Sequence, residues 1–173
     1  NIPDVVYEKY LGGKGLGTYL LLKHNPPGID PFSAENRIIF TVGCATDTKI
    51  WGTSRYGVFT KSPLTGIFGE SYSGGKIASP MSRTGYDAII IEGKSAEPIY
   101  IEISEGKVVF HSAQALWGKG TYETEDEVLQ RTEVKDAGAL VIGPAGENLV
   151  KFALIENDYW RSAGRTGMGA VLG

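Results

Sequence analysis

Two short stretches combine glycine, hydroxyl side chains and cations in a pattern that suits the binding of an anion or a flat heterocycle. We call residues 73–76 (SGGK) the first glycine loop and residues 162–167 (SAGRTG) the second glycine loop. Glycine lets a ligand approach the backbone closely, and free N–H groups at a helix start can hold a phosphate. The segment KIASPMSR after the first loop would supply such a helix. A simple packing turn is the alternative interpretation of an isolated glycine pair.

Cations beside these turns favour the anion hypothesis. They are Arg55, Lys61, Arg161 and Arg165. Arginine holds phosphate through two parallel hydrogen bonds, whereas any one arginine alone could equally be a solvated surface residue. Aromatic side chains near the same turns could wall a flat ligand or fill a core. These aromatic residues are Trp51, Tyr56, Tyr72, Tyr159 and Trp160.

Other chemistry is poorly supported. Residues 12–18 lack the G-x-G-x-x-G spacing, and Lys76 is not followed by Ser or Thr, which excludes the dinucleotide and P-loop motifs. His24 and His111 lie at a helix end and a strand end and predict surface residues rather than a metal site. The sequence shows no convincing nucleophile or acid–base set. It therefore predicts a binding platform without catalytic residues.

A few acidic and sulfur side chains remain near the loops. Glu156 and Asp158 precede Arg161 and could orient it, although a solvated turn is the simpler interpretation. The single Cys44 rules out an internal disulfide and any CxxC zinc or cluster motif. We predict that Cys44 is a small, buried or half-buried residue.

Composition narrows the class of protein. The 173 residues carry a net charge of -3 and are 42% hydrophobic, which predicts one globular domain over residues 1–173 and no non-specific binding of nucleic acid. No apolar run is long enough to span a bilayer, so we expect no membrane association and a cytoplasmic location. The missing initiator methionine and the glycine-rich end predict a fragment of a longer chain.

Hydrophobic periodicity predicts a β-rich chain with a few helices. A helix is expected after the cluster GGKGLG, from about Leu16 to Lys23, and a second near Thr124 and Glu127, which form a capping-box pattern. The predicted strands are RIIFTVG (37–43), RYGVFTK (55–61), DAIIIEG (87–93), PIYIEIS (98–104), KVVFHS (107–112), ALVIGPAGE (139–147) and NLVKFALIE (148–156). The fifth strand follows the fourth through a tight Glu105-Gly106 turn.

The same order of elements occurs twice along the chain: helix, strand, turn, strand, glycine loop. The first pass ends at the first glycine loop and the second at the second. A duplication predicts two similar β-sheets related by a pseudo-two-fold axis, with the two loops at corresponding places. Loops on opposite surfaces would contradict it, and a chance series of strands is the alternative.

Several blocks resemble the amino-terminal domain of the aldehyde ferredoxin oxidoreductase family. The blocks are YLGGKGLGTYLLLK, PFSAEN, TKSPLTG, GYDAIIIEGKS, IGPAGENLVKFA and SAGRTGMGAVLG. They occur in the family's order and cover nearly the whole chain. The resemblance implies an α+β, β-rich fold of two sheets from a pseudo-two-fold duplicated motif. It also implies that this domain forms the base on which a bis-pterin cofactor sits.

The resemblance implies a tungsten or molybdenum bis-pterin cofactor whose phosphates are bridged by magnesium. A [4Fe-4S] cluster near the cofactor passes electrons to ferredoxin, and its cysteine ligands lie in later domains. Carried over by position, the cofactor-binding residues are Arg55, Tyr72, Ser73, Gly74, Arg161, Ser162, Gly164, Arg165 and Thr166. Arg55 matches the arginine between pterin and cluster. Tyr72 stands where the family often has an asparagine. The turn GCATDTKIWGTSRYG at residues 43–57 also departs from the family's usual sequence.

The resemblance thus implies an aldehyde-oxidising parent enzyme that uses ferredoxin or another electron-transfer subunit, with this chain inactive by itself. A homo-oligomeric parent protein is compatible with the resemblance. One alternative function is a non-redox pterin- or nucleotide-binding module. Another is a scaffold domain, in which both glycine loops would be packing turns.

Overall fold

An antiparallel sheet forms the centre of the computed structural model, which describes residues 2–173. The helices are α1 (Asp4–Tyr10), α2 (Gly13–His24), α3 (Ala78–Arg83), α4 (Thr121–Arg131), α5 (Pro144–Glu147) and α6 (Met168–Leu172). The strands are β1 (Ile38–Val42), β2 (Tyr56–Lys61), β3 (Phe68–Ser73), β4 (Ala88–Ile91), β5 (Ile99–Ser104), β6 (Lys107–Ser112), β7 (Ile155–Asn157) and β8 (Arg161–Ala163). The central sheet has the order β3-β2-β1-β4, while β5 pairs with β6 and β7 with β8.

The inner strands β1 and β2 are covered on both faces, which explains their nearly continuous apolar sequences. On one face, Ile39 and Phe59 pack with the helices α1 and α2. The opposite face packs against α3, α6 and the β7–β8 pair. Its cluster contains Ile38, Phe40, Val42, Tyr56, Val58, Ile77, Ala78, Met81, Ile155, Ala163 and Met168. The sheet therefore links the two halves of the chain through one buried layer.

The helix predicted after the cluster GGKGLG is confirmed as α2. It ends before Pro26, whose ring restricts the preceding residue and cannot continue a helix. A Cβ on Gly17 would lie 2.3 Å from the ring of Phe59, so glycine is needed there for α2 to approach β2. In the described residues, no helix combines the length and the apolar character that crossing a membrane requires.

Five predicted strands are confirmed with small changes at their ends: β1, β2, β4, β5 and β6. The tight turn between β5 and β6 is also confirmed, because Ser104 pairs with Lys107 and Gly106 has a φ of 68°. The predicted α+β, β-rich fold agrees with this architecture.

Three expectations were wrong. ALVIGPAGE forms only a single bridge at Val141 followed by α5, because Pro144 occupies the first turn of that short helix. NLVKFALIE contributes a strand only from Ile155. The second predicted helix is confirmed as α4, but the capping box does not start it: the helix begins at Thr121, and the Thr124 hydroxyl donates to the carbonyl of Gly120 (2.9 Å).

The expected repetition is present in the order of elements. The first series is α2, β1, β2, β3, first glycine loop, α3; the second is α4, Val141, α5, β7, β8, second glycine loop, α6. The short helix α5 has no counterpart in the first series. Val141 exchanges backbone hydrogen bonds with Glu156, so it occupies the place in the second series that β1 has in the first. The strand β4 and the β5–β6 hairpin lie between the two series.

Candidate functional site

The two glycine loops lie next to each other, as the duplication predicts. The backbone N–H of Arg165 donates to the Ser71 hydroxyl (3.2 Å), and the Ser62 hydroxyl donates to the Thr166 carbonyl (2.7 Å). These bonds join the second loop to β3 and to the residue that follows β2. The first loop follows directly from β3, so both loops leave the same part of the fold.

A buried amide ties the first glycine loop to the end of β7. Asn157 is fully buried, and its Oδ1 accepts from the Tyr56 hydroxyl (3.1 Å) and the Ser73 hydroxyl (3.3 Å). Its Nδ2 donates to the Gly74 carbonyl (3.0 Å) and to the Asp158 carboxylate (2.9 Å). Burial raises the pKa of Tyr56, which keeps its hydroxyl a neutral donor. Sequence reasoning missed Asn157.

Both loops expose backbone donors that the protein does not use. Within residues 2–173, no oxygen accepts from the N–H groups of Gly74 and Gly75, or from those of Gly164 and Thr166. A polar group without a protein partner is satisfied by water or by a ligand. The loops therefore provide two neighbouring sets of donors for an anion or a polar heterocycle.

Three of the four cations singled out in the sequence stand beside these donors. Arg55, Arg161 and Arg165 are exposed, and none has a carboxylate within ion-pair distance among the described residues. Lys61 was wrongly grouped with them. It lies at the other end of β2, where its ammonium donates to the carbonyl of Ile29.

The glycines of the loops differ in what the fold requires. Gly75 has a φ of 97°, and a Cβ there would lie 2.1 Å from Oδ2 of Asp158. Gly74 and Gly164 lie outside the left-handed region. A Cβ on Gly74 would approach only the Ser54 carbonyl oxygen (3.6 Å), and one on Gly164 only Cβ of Ser162 (3.8 Å). The protein itself thus leaves room at Gly74 and Gly164, where a ligand could reach the backbone.

A buried carboxylate holds the turn between β7 and β8. Asp158 and Tyr159 both have positive φ (47° and 65°), and their N–H groups donate to Glu125 at 2.8 and 3.0 Å. Nothing in the sequence pattern separates Glu125 from the other acidic residues of α4. Of the two interpretations of Glu156 and Asp158, the structure gives no support to an orienting role, because Glu156 accepts from Thr121 (2.6 Å) and Asp158 from the backbone N–H of Lys76 (2.6 Å).

The side chain of Tyr72 lies on the other face of β3 from Ser73. Its hydroxyl donates to Glu70 (3.0 Å), which also pairs with Lys14 (2.7 Å), and its ring packs edge-on against Phe59. Partial burial, followed by the Glu70 carboxylate, raises the pKa of Tyr72. The phenol is thus directed away from the Ser73 hydroxyl.

The remaining candidates have ordinary surroundings. The Ser162 hydroxyl approaches Glu156 at 3.5 Å, and the Thr166 hydroxyl donates to the Arg165 carbonyl (2.6 Å). Cys44 is exposed, contrary to prediction, since it lies in the open loop after β1.

The aromatic residues near the turns separate into two groups. Tyr56 belongs to the core, whereas Trp51 and Trp160 are 97% and 71% exposed. Of the two histidines, His24 is exposed as predicted, and His111 is half-buried against Glu102. Among residues 2–173, no cluster of three or more His, Cys, Asp or Glu side chains could hold a metal ion.

The site is an open surface rather than an enclosed cavity. A cleft of about 1210 Å³ lies elsewhere, between the central sheet and the β5–β6 hairpin, and none of the carried-over residues lines it. Its walls are mainly apolar, including Phe40, Met81 and Ile101. We therefore place the candidate site at the paired glycine loops and not in this cleft.

Two known proteins similar to this chain are considerably longer. The tungsten-containing aldehyde ferredoxin oxidoreductase of Pyrococcus furiosus is 46% identical over 166 residues, which cover 96% of this chain and 27% of that protein. The aliphatic sulfonate oxidoreductase WOR-like subunit of the same organism is 32% identical, over 99% of this chain and 30% of that protein. This chain thus spans between a quarter and a third of their length.

A solved structure and a family profile give the same result. The active-site complex of a benzoyl coenzyme A reductase, solved with 1,5-dienoyl coenzyme A, superimposes with a TM-score of 0.95. Its identity is 40%, and the match covers 99% of this chain and 26% of that chain. The profile described as "Aldehyde ferredoxin oxidoreductase, N-terminal domain" matches residues 1–173. The chain belongs to the aldehyde ferredoxin oxidoreductase family.

Proposed function

We propose that residues 1–173 form one domain, the base that binds a tungsten or molybdenum bis-pterin cofactor in a larger oxidoreductase. The main supporting observation is that two adjacent glycine loops present unused N–H groups beside three exposed arginines without carboxylate partners. Pterin phosphates are anions, and arginines and backbone N–H groups are the donors that suit them.

The donor set of the chain fits this cofactor. Gly74 and Gly164 offer N–H groups on open backbone, Gly75 offers a further unused N–H group, and Arg55, Arg161 and Arg165 offer positive charge at the same surface. The proposed binding residues are Arg55, Tyr72, Ser73, Gly74, Arg161, Ser162, Gly164, Arg165 and Thr166. In this set, Tyr72 can contribute its ring but not a free hydroxyl, since the hydroxyl is bonded to Glu70.

The residues of this chain bind and orient the cofactor and neutralise its charge. When bound, the cofactor supplies the redox chemistry, and a [4Fe-4S] cluster ligated outside this chain carries electrons to ferredoxin. Arg55 places a positive charge next to the first glycine loop, which favours a reduced, more negative cofactor and cluster. No acid, base or nucleophile of this chain is required.

We assign to the parent protein the oxidation of aldehydes to carboxylates, in the cytoplasm. Support comes from the name of the 46% identical relative. Other similar proteins carry names that refer to aliphatic sulfonate and to benzoyl coenzyme A. A domain shared by proteins with such different substrates fits a common cofactor-binding role. Substrate choice would then be set by other parts of each full-length protein.

The decisive experiment replaces two of the three exposed arginines in the full-length protein. Arg55→Met together with Arg165→Met should lower the tungsten or molybdenum content per chain by about tenfold or more, since each lost charged hydrogen bond costs ~1.5–3 kcal/mol. Metal content is measured by mass spectrometry after anaerobic purification. Arg131→Met, an exposed arginine on α4, is the matched control and should keep the cofactor. Unchanged metal content in the double variant would favour the scaffold alternative.

Elemental analysis of the unmodified parent separates the redox enzyme from a non-redox binding module. One group 6 metal with about four irons per chain is expected, as a single four-iron cluster requires. A well-folded protein that contains neither the group 6 metal nor iron would instead favour the non-redox pterin- or nucleotide-binding module.

A further inference from the structure

The amide of Asn157 uses its full hydrogen-bonding capacity inside the protein. Its oxygen accepts two bonds and its NH2 group donates two, and the side chain has no exposed surface. Two of these partners, Ser73 and Gly74, belong to the first glycine loop, although Asn157 lies 83 positions beyond Gly74 in the sequence. The second half of the duplicated fold thus holds the loop that ends the first.

The bond from Asn157 to the Gly74 carbonyl determines where the next N–H points. The peptide is trans, so the N–H of Gly75 is directed opposite to the Gly74 carbonyl and away from Asn157. That N–H has no acceptor within residues 2–173. Two further bonds fix the rest of the loop: the Ser54 hydroxyl donates to the Gly75 carbonyl (2.5 Å), and Asp158 accepts from the N–H of Lys76.

We propose that Asn157 is a positioning residue, whose buried amide holds the first glycine loop in the one shape that presents the Gly75 N–H to the cofactor. This inference rests on the proposed function of the glycine loops. Without the amide, Gly74 and Gly75 could rotate freely, since glycine populates both signs of φ. The loop would then have to be ordered at the moment of binding, which lowers affinity.

The side-chain chemistry at this position is specific. Aspartate has nearly the same shape as asparagine but donates nothing, and its charge would face both the Gly74 carbonyl and the Asp158 carboxylate. Asn157→Asp therefore breaks the contact to the loop and adds repulsion. Tyr56→Phe removes a different bond of the same buried amide, the one from Tyr56 to Oδ1, and leaves the contact to Gly74 intact.

The test compares these two variants in the full-length protein, purified anaerobically with its cofactor. The primary measurement is the rate at which tungsten or molybdenum leaves the protein after dilution into cofactor-free buffer. We expect Asn157→Asp to release the metal at least about tenfold faster, which corresponds to ~1.4 kcal/mol, and Tyr56→Phe to stay within about twofold of the parent. The electron paramagnetic resonance spectrum of the metal still bound should change only in Asn157→Asp.

Thermal midpoints of the metal-free proteins separate positioning from general loss of stability. Both variants should lower the midpoint, whereas Asn148→Asp, the same change at an exposed asparagine, should not. Equal release rates for Asn157→Asp and Tyr56→Phe would overturn the proposal. If Asn157→Asp does not fold, Asn157→Ser decides instead: it removes the donor to the Gly74 carbonyl without adding a charge, and unchanged release would overturn the proposal.

The arginine double variant keeps the two proposals apart. If that variant loses its cofactor while Asn157→Asp and Asn157→Ser retain theirs, the glycine loops bind the cofactor but Asn157 does not position the first loop. If all of these variants retain the cofactor, the proposed function itself is wrong.

Discussion

Two glycine-rich regions of the chain, residues 12–17 and the paired glycine loops, look alike in sequence but have different structural roles. In residues 12–17, a Cβ on Gly17 would meet the Phe59 ring at 2.3 Å, and one on Gly15 would meet the Tyr10 carbonyl oxygen at 2.4 Å. These glycines allow close packing of α2. In the paired loops, Gly74 and Gly164 have open space around the missing Cβ and unused N–H groups. Glycine content alone therefore does not identify a binding site.

What distinguishes the loops is the combination of open backbone and cations without acidic partners. Lys14, the cation in the first cluster, pairs with Glu70 at 2.7 Å, whereas the arginines beside the loops have no such partner among the described residues. A paired charge is largely neutralised before any ligand arrives, while an unpaired one remains available to an anion. Four changes test this distinction.

The largest effect on stability is expected for Gly17→Ala. The added methyl group would collide with a fully buried ring, and the destabilisation should lie near the upper end of the ~1–3 kcal/mol typical of overpacked cores. Chemical denaturation of the full-length variant measures it. The matched control is Gly120→Ala, where nothing lies within 4 Å and φ is −67°. Metal content per folded chain should not change in either variant.

Gly75→Ala should affect both properties. A φ of 97° strains any side chain, and the methyl group would displace the Asp158 carboxylate that holds the loop. We expect a loss of about 1–2 kcal/mol of stability together with reduced metal content. Unfolding curves and metal analysis on one preparation give both values. Full metal content despite the lost stability would mean that the loop shape does not matter for binding.

Much of the fold is predictable from sequence because its inner strands are apolar runs, as in β1, β2 and β4. The strand β3 was missed because its inward side chains include Ser71 and Ser73, which are polar and satisfied by distant partners. Asn157 was missed for the same reason: Tyr56, one of its partners, lies 101 positions away. Arg55, Arg161 and Arg165 could be selected from sequence because charge beside glycine is a local signal.

Gly164→Ala should change binding without changing stability. The methyl group would make only an ordinary contact at 3.8 Å, so the free energy of unfolding should stay within about 0.5 kcal/mol of the parent value. If the cofactor contacts this backbone, metal release should become faster by about tenfold. A destabilised protein with normal metal release would place Gly164 with the packing glycines.

The smallest effect concerns a paired charge in the loop between β1 and β2. Asp47 forms two hydrogen bonds with Arg83 (both 2.9 Å), and this pair lowers the pKa of Asp47. Its contribution is present above the unfolded pKa of about 3.9 and is lost as pH falls through the lower folded pKa. Asp47→Asn should therefore lower the thermal midpoint slightly at pH 7 and not at pH 2. A difference that persists at pH 2 would point to packing rather than charge.

The strand order of the central sheet also determines how fast different backbone amides exchange hydrogen for deuterium in heavy water. The amides of β1 are hydrogen-bonded between β2 and β4 and covered on both faces, so they should exchange only when the whole molecule unfolds. The β5–β6 pair is a two-stranded ribbon with exposed side chains such as Phe110, and ribbons of this kind open locally. The hairpin inserted between the two series should thus exchange its amides long before the sheet that it interrupts.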